Sequence, residues 1–390
     1  MSSGHAHSVH FAHPPHTHPL PPRPPANGAI GKARRAPNDP VAAPKEPLPY
    51  EPPPPTNLVN LTLPLEIVNP NASQAAQAAQ KLIFHCVGDT GGVHGTATQE
   101  LIAKAMEDQF PKGGGDHPAF FYHLGDVIYF NGQSQNYNAQ FYEPYQYYPA
   151  LIFAIPGNHD GDSHPRPGDQ PDTEPSLYGF MQNFCDSAPH PTSPYRLTMT
   201  QPYVYWTLEA PLVTIIGLYS NIGGSLDARG TSEQQQWLQG QMKAAPADKK
   251  LLIAVHHPPY SLDSAHGGCP DILTALDRAV VAANRVPDAI LTGHVHNYQR
   301  FARTINKREV PYIVAGAGGY ANDARSMHRL AHGLPKLPIQ TTHPDVKLMN
   351  YNDTEPGFLR VTVVPDGITF EYFQVPFDGS KVTLFDTVTV

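Results

Sequence analysis

The sequence predicts an α/β fold (α+β in the arrangement of its late strands), a four-layer αββα sandwich in which two sheets stack and helices cover the outer faces. Three observations point to it. Short, nearly continuous apolar runs recur at 82–87, 119–124, 151–155, 251–255 and 289–292, as expected of strands buried on both sides. Segments of helical period lie between several of them. Strand patterns then crowd the end of the chain, so that strand and helix alternate early and strands dominate late.

Residues 1–56 differ in kind from the rest. Six histidines fall within the first eighteen residues, and prolines run densely through Pro52-Pro53-Pro54-Pro55. Such a composition cannot bury enough apolar surface to fold, so this stretch reads as a disordered His/Pro-rich tail, and 57–390 as a single folded domain. Leu58 to Val68 alternates like a half-buried edge strand. After an Ala/Gln stretch, Leu82 to Val87 is a central strand that ends at Gly88-Asp89-Thr90-Gly91-Gly92. Thr96 and Gln99 are spaced as a capping box for a helix with Leu101, Ile102, Ala105 and Met106 on one face.

The strand Ala119 to Leu124 gives way to Gly125-Asp126-Val127-Ile128-Tyr129, and an aromatic helix is expected near Tyr137 to Tyr148. Leu151 to Ile155 ends at Gly157-Asn158-His159-Asp160, and the Pro, Gly and Asp of 161–176 read as a long loop. Strands around Tyr203 to Leu208 and Leu212 to Leu218 precede a helix from Ser232 carrying Trp237 and Leu238. Leu251 to Val255 runs into His256-His257-Pro258, and a helix from Asp271 leads to Ala289 to Thr292 and Gly293-His294-Val295-His296. Tyr312 to Ala315, Phe358 to Val364, Ile368 to Phe373 and Val382 to Val390 read as antiparallel strands, with Pro365-Asp366-Gly367 as a hairpin turn.

Composition excludes several classes. A net charge of -8 from 26 basic and 34 acidic residues argues against a nucleic-acid scaffold. No apolar run approaches the ~18 residues a membrane span needs, and the N-terminus carries no recognisable signal peptide, leaving localisation unknown. Three cysteines, Cys86, Cys185 and Cys269, allow at most one disulfide. Oligomeric state is not readable from these features.

Five buried strands thus end, each at its C-terminal end, in residues able to bind metal: Asp89, Asp126, Asn158, His256, His294 and His296. Open α/β sheets place ligand sites at that edge. One such coincidence is ordinary turn chemistry; five are not. Asp126 has two oxygens and can bridge two ions, whereas Tyr129 can bind only as a phenolate, which demands a hard, highly charged metal. His294 and His296 alternate on an extended segment, so they can serve different metals only if the backbone turns there, which Gly293 permits.

The order Gly88-Asp89-Thr90-Gly91, Gly125-Asp126-Val127-Ile128-Tyr129, Gly157-Asn158-His159-Asp160, His256-His257-Pro258 and Gly293-His294-Val295-His296 resembles the calcineurin-like metallophosphoesterases and, within them, the purple acid phosphatases. The wider superfamily carries a histidine where Gly91 stands; here that ligand is missing and Tyr129 supplies the replacement, the mark of the purple acid phosphatase subgroup. The resemblance implies two mixed sheets and a binuclear centre: Asp89, Tyr129 and His296 on a ferric ion, Asn158, His256 and His294 on divalent iron, zinc or manganese, and Asp126 between them. It further implies hydrolysis of small phosphomonoesters by metal-bound hydroxide, with His159 assisting the leaving group and His257 either facing substrate or hydrogen-bonded behind the ligands. Asp160 reads as structural. The runner-up is a phosphodiesterase of the same superfamily acting on nucleotides or phospholipid headgroups. A non-enzymatic alternative is a metal-handling or interaction protein working through the His/Pro-rich tail.

Overall fold

Two sheets face each other across a shared apolar layer in the computed structural model, which describes residues 61–112, 115–162, 174–226, 232–264, 266–334 and 336–390. The tail and most of the 161–176 loop lie outside them. The strands are β1 (Thr62–Pro64), β2 (Leu82–Val87), β3 (Phe120–His123), β4 (Leu151–Ala154), β5 (Trp206–Ala210), β6 (Val213–Leu218), β7 (Lys250–Val255), β8 (Ala289–Thr292), β9 (Tyr298–Ile305), β10 (Arg308–Ala315), β11 (Ile339–Gln340), β12 (Val346–Asn352), β13 (Gly357–Val364), β14 (Gly367–Gln374) and β15 (Thr383–Thr389). The larger sheet has nine strands in the order β1-β5-β6-β7-β8-β10-β9-β12-β11, and the smaller has six in the order β15-β14-β13-β2-β3-β4. Both are mixed: β2, β3 and β4 are mutually parallel, as are β6, β7 and β8, while β13, β14 and β15 pair antiparallel.

Strand alternation explains the layering. Phe84, Cys86, Phe120 and Tyr122 of the smaller sheet meet Leu252, Ala254, Leu291 and Ile313 of the larger in the central core. The residues between them point outward. Leu251, Ile253 and Val255 pack under the helices Glu233–Ala244 and Pro270–Ala283 through Leu238, Met242, Ile272 and Leu276. Val87 and Phe121 pack under the helix Ala97–Glu107 through Ile102 and Met106. A run apolar at every position is what a strand needs when both its faces are covered.

Several local expectations fail for identifiable reasons. Among the described residues of the edge strand expected at 58–68, β1 gives way to a helical turn at Leu65–Val68 once Pro64 has removed a ladder donor, and 58–60 lie outside the described residues. The Ala/Gln stretch is a helix, Pro70–Ala79, capped by Asn69, whose Oδ1 accepts from Ala72 N at 3.1 Å. The capping box at Thr96 and Gln99 does not form: Thr96 Oγ1 donates to Glu100 Oε1 at 2.6 Å, and buried Gln99 reaches Gln140 O at 2.8 Å instead. The aromatic helix shrinks to a π-helical turn at Asn138–Tyr142, since Pro144 cannot continue it. β9 and β12 were not expected. All three cysteines are free. Among the described residues no helix is long and apolar enough to cross a membrane.

Candidate metal centre

The C-terminal ends of β2, β3 and β4 face those of β7 and β8, so the five polar turns meet at one edge of the sandwich. Three of their residues adopt left-handed backbone: Asp89 (φ 59°), Asp126 (φ 52°) and His294 (φ 68°). Each is a conformation a side chain normally avoids, and each aims a polar group back over the strand ends. Two glycines make the approach possible. A Cβ on Gly125 would lie 2.7 Å from both Gly157 N and His256 Nδ1, and one on Gly293 would lie 2.6 Å from Asp89 Oδ2. The turn that separates His294 from His296 falls on His294 itself, not on Gly293 as the sequence suggested.

The expected ligands gather into two clusters. In the first, Tyr129 Oη lies 3.4 Å from Asp89 Oδ1 and 3.3 Å from His296 Nε2, and the latter two atoms are 3.5 Å apart. In the second, Asn158 Oδ1 is 2.9 Å from His294 Nδ1, and Asp126 Oδ2 is 3.3 Å from His256 Nε2. Ligand atoms of Asp126, His256 and His294 all lie within 4.8 Å of one another. Asp126 also acts on the first cluster, where its charge helps burial push the Tyr129 phenol up. Gly91 creates room for the phenol: a Cβ there would meet Tyr129 Cδ2 at 2.7 Å.

The donor set fits cations. Asp89, Asp126, Tyr129 and His256 are all essentially buried. Burial, with the Asp126 charge adding to it, pushes the Asp89 carboxyl up, and burial does the same to the Tyr129 phenol. Burial by itself would lower His256, yet Asp126 and Asp89 outweigh it and raise it to about 9. His256 Nδ1 donates to Leu124 O at 2.8 Å, so Nε2 is the ring atom that faces Asp126 Oδ2, holding a proton there or, once that proton is lost, a lone pair for a cation. Two electron-rich atoms so placed require a shared proton or metal ion. Burial drives His294 and His296 well below the ordinary imidazole value, keeping them neutral lone-pair donors.

The remaining predicted residues surround these clusters. His159 Nδ1 donates to Phe130 O at 2.9 Å, and its ring packs 4.6 Å from that of Tyr129, so its side chain belongs to neither cluster. Its backbone N–H donates to Asp126 Oδ1 at 2.9 Å. His257 shares a 2.7 Å hydrogen bond with Ser220 Oγ and packs 4.2 Å from the His294 ring. Asp160 accepts from Gly157 N at 2.8 Å, Val127 N at 3.1 Å and Ile128 N at 3.3 Å, clamping the second and third turns together. Tyr298 and Arg300, just past the last polar turn and not among the predicted site residues, lie on β9, where both bond Asp386 of β15.

Sequence reasoning missed three supports. Gln140 grips the Tyr129 backbone from both sides, accepting from N and donating to O, each at 2.9 Å. Gly316 and Gly318 let the end of β10 press on the first turn, where a Cβ would come within 2.8 Å of Asp89 Oδ2 and 2.2 Å of Gly88 O. The Gly316-Ala317-Gly318-Gly319 run was the available signal. His328, which packs on His296, had none.

These features define a candidate metal centre at the open edge of an αββα sandwich. Residues 83–298, more than half of the chain, match the calcineurin-like phosphoesterase model, and the chain belongs to that family. It is similar to purple acid phosphatase 22 of Arabidopsis thaliana, with 32% identity over 134 residues that cover 32% of this chain and 29% of the relative. A probable glycerophosphodiester phosphodiesterase of Arcobacter nitrofigilis is 24% identical over 43% of this chain and 52% of its own length. The matched stretches thus span only about a third to a half of these relatives. In three dimensions the chain resembles a purple acid phosphatase from yellow lupin seeds, with a TM-score of 0.56, 18% identity, and coverage of 79% of this chain and 53% of that one. It also resembles GAP50, the anchor in the inner membrane complex of Plasmodium, with a TM-score of 0.53, 13% identity, and coverage of 80% and 88%. At these identities the two structures establish a shared fold.

Proposed function

We propose that this protein is a binuclear metal-dependent acid phosphatase that hydrolyses small phosphomonoesters. The observation that carries the reading is the phenol of Tyr129 in one triangle with Asp89 and His296, in space that Gly91 leaves open. A phenol enters such a set as phenolate, which suits a ferric ion, while neutral imidazoles and an amide suit a divalent partner. Asp89, Tyr129 and His296 would hold the first ion, Asn158, His256 and His294 the second, and Asp126 both.

Paired ions of this kind neutralise phosphoryl oxygens and lower the pKa of water at the site. The protein's own residues orient the rest. Phe130 O fixes the His159 proton on Nδ1, which leaves Nε2 as the ring atom to handle the leaving-group proton. Packing against Tyr129 holds that ring beside the first cluster. His257, tied to Ser220, braces His294 and lines the opposite side.

Visible absorption with metal analysis tests the assignment. Ferric phenolate gives a broad charge-transfer band, which should be lost in Tyr129→Phe. A colourless active enzyme holding only zinc or manganese would refute the iron assignment. Faster turnover of bis-nitrophenyl phosphate than of nitrophenyl phosphate would replace the monoesterase reading with the diesterase one.

A further inference from the structure

A metal-bound imidazole ordinarily donates its second ring N–H to a carbonyl or carboxylate, which fixes the ring's rotation. His256 follows that rule through Leu124 O. His296 does not: its Nδ1 is buried and makes no hydrogen bond among the described residues. Its faces are covered instead. His328 stacks on it with ring centroids 4.1 Å apart and planes 16° from parallel, and Tyr320 packs on it at 4.4 Å.

We propose that His328 is a positioning residue for His296, setting the ring by face-to-face stacking where the usual hydrogen bond is missing. The inference rests on the assignment of His296 to the first metal. His328 is itself located by the segment it supports: His296 N donates to His328 Nδ1 at 3.1 Å, His328 N to His296 O at 3.3 Å, and Asn297 Nδ2 to His328 O at 2.9 Å. Accepting at Nδ1 puts the His328 proton on Nε2, and the neutral ring can lie flat on a ligand without charge repulsion. On its far face His266 stacks at 4.2 Å and 12°, completing a column of three imidazoles. Backbone hydrogen bonds from Ser264 N to Arg329 O and from Ala331 N to Leu262 O, both 2.9 Å, join the loops that carry His266 and His328.

A rival use for these groups exists. Ligand atoms of Asp263, His266 and His328 lie within 4.8 Å of one another, which suggests a third cation site. Two facts oppose it. The Nδ1 lone pair of His328 already accepts from His296 N, so a metal at Nε2 would require an imidazolate. The His266 and His328 planes are nearly parallel, and lone pairs lying in parallel planes do not converge on one ion.

The test uses the full chain, stripped of metal and reloaded, with metal counted per chain and first-site affinity measured by chelator competition. In His328→Ala, first-site affinity should fall about 10–100-fold, as outer-shell losses do, with second-site metal retained and the charge-transfer band shifted. His328→Phe keeps a flat face without the nitrogens and should recover most of that affinity. Unfolding of the metal-free variants checks that both fold. Wild-type affinity and an unshifted band in His328→Ala would overturn the proposal, as would equal losses in Ala and Phe. A third metal equivalent, present in the wild type and absent from both variants, would replace it with the cation site. Failure of the wild type to bind two metals, or of Asp89→Ala to lose one, would instead sink the underlying centre.

Discussion

Replacing Gly91 with alanine adds one methyl group directly against the phenol of the first cluster. Its Cβ would sit 2.7 Å from Tyr129 Cδ2, 2.8 Å from Gln140 Oε1 and 2.9 Å from Ile128 Cα. Ordinary carbon contacts begin near 3.5 Å, so some neighbour must withdraw by roughly 0.7 Å. Ile128 Cα is backbone, and Gln140 is held at Oε1 and Nε2 by the Tyr129 backbone. The Tyr129 ring is left to move, and its Oη is the atom in contact with Asp89 and His296. Overpacking of this kind costs about 1–3 kcal/mol. A phenol displaced that far should also weaken first-site metal binding by at least about tenfold, in line with a loss of ~1.4 kcal/mol. The assay is absorption spectroscopy of the loaded protein with thermal unfolding of the metal-free form. A band of unchanged position and intensity together with an unchanged melting temperature would refute the reasoning, since the methyl would then have found room without moving the phenol.

Other outcomes follow from the same geometry. His159→Ala should depress turnover by about 10²–10⁴ while both metals stay bound, because its side chain belongs to neither ligand cluster; parallel loss of metal and activity would contradict that placement. Asp160→Ala strands the buried N–H groups of Val127, Ile128 and Gly157 and should cost about 3–5 kcal/mol in urea unfolding, a loss below ~1 kcal/mol counting against the clamp. His85, between Tyr148 Oη and Gln109 Oε1, is lowered to about 3, chiefly by burial, which outweighs the Gln109 hydrogen bond, with Arg360 lowering it further. The unfolded chain therefore takes up a proton below the ordinary value of 6.5 that the folded chain refuses until about pH 3. This residue's contribution is fully favourable above that window and declines across it, by about 2 kcal/mol at pH 5. His85→Gln should flatten the fall in stability between pH 7 and 5 by about that amount, and an unaltered slope would exclude His85 as its source.

Legibility in the sequence tracked burial. The buried runs that became β2, β3, β4, β7 and β8 were readable because strands covered on both faces are apolar at every position, and each run ends where its polar turn begins. β9 escaped notice because its pattern, Tyr298-Gln299-Arg300-Phe301, mixes polar groups into a buried strand: Gln299 bonds Leu262 N and Arg300 pairs with Asp386. The Thr96 and Gln99 spacing misled because Gln99 found a tertiary partner in Gln140, which no local rule anticipates.

By itself, the sequence determined which side chains stand at the strand ends, since that depends only on where apolar period stops, and the family resemblance matched Tyr129 to the gap at Gly91. Tertiary structure decided the rest. Asn158 meets His294 across 136 residues of chain, and His328 reaches His296 from a loop with no periodic signature. Those encounters depend on sheet order and on left-handed turns at Asp89, Asp126 and His294, which bring separate strand ends to one edge. A residue's type is local information, whereas the direction in which a turn delivers it is set by the packing of everything beneath.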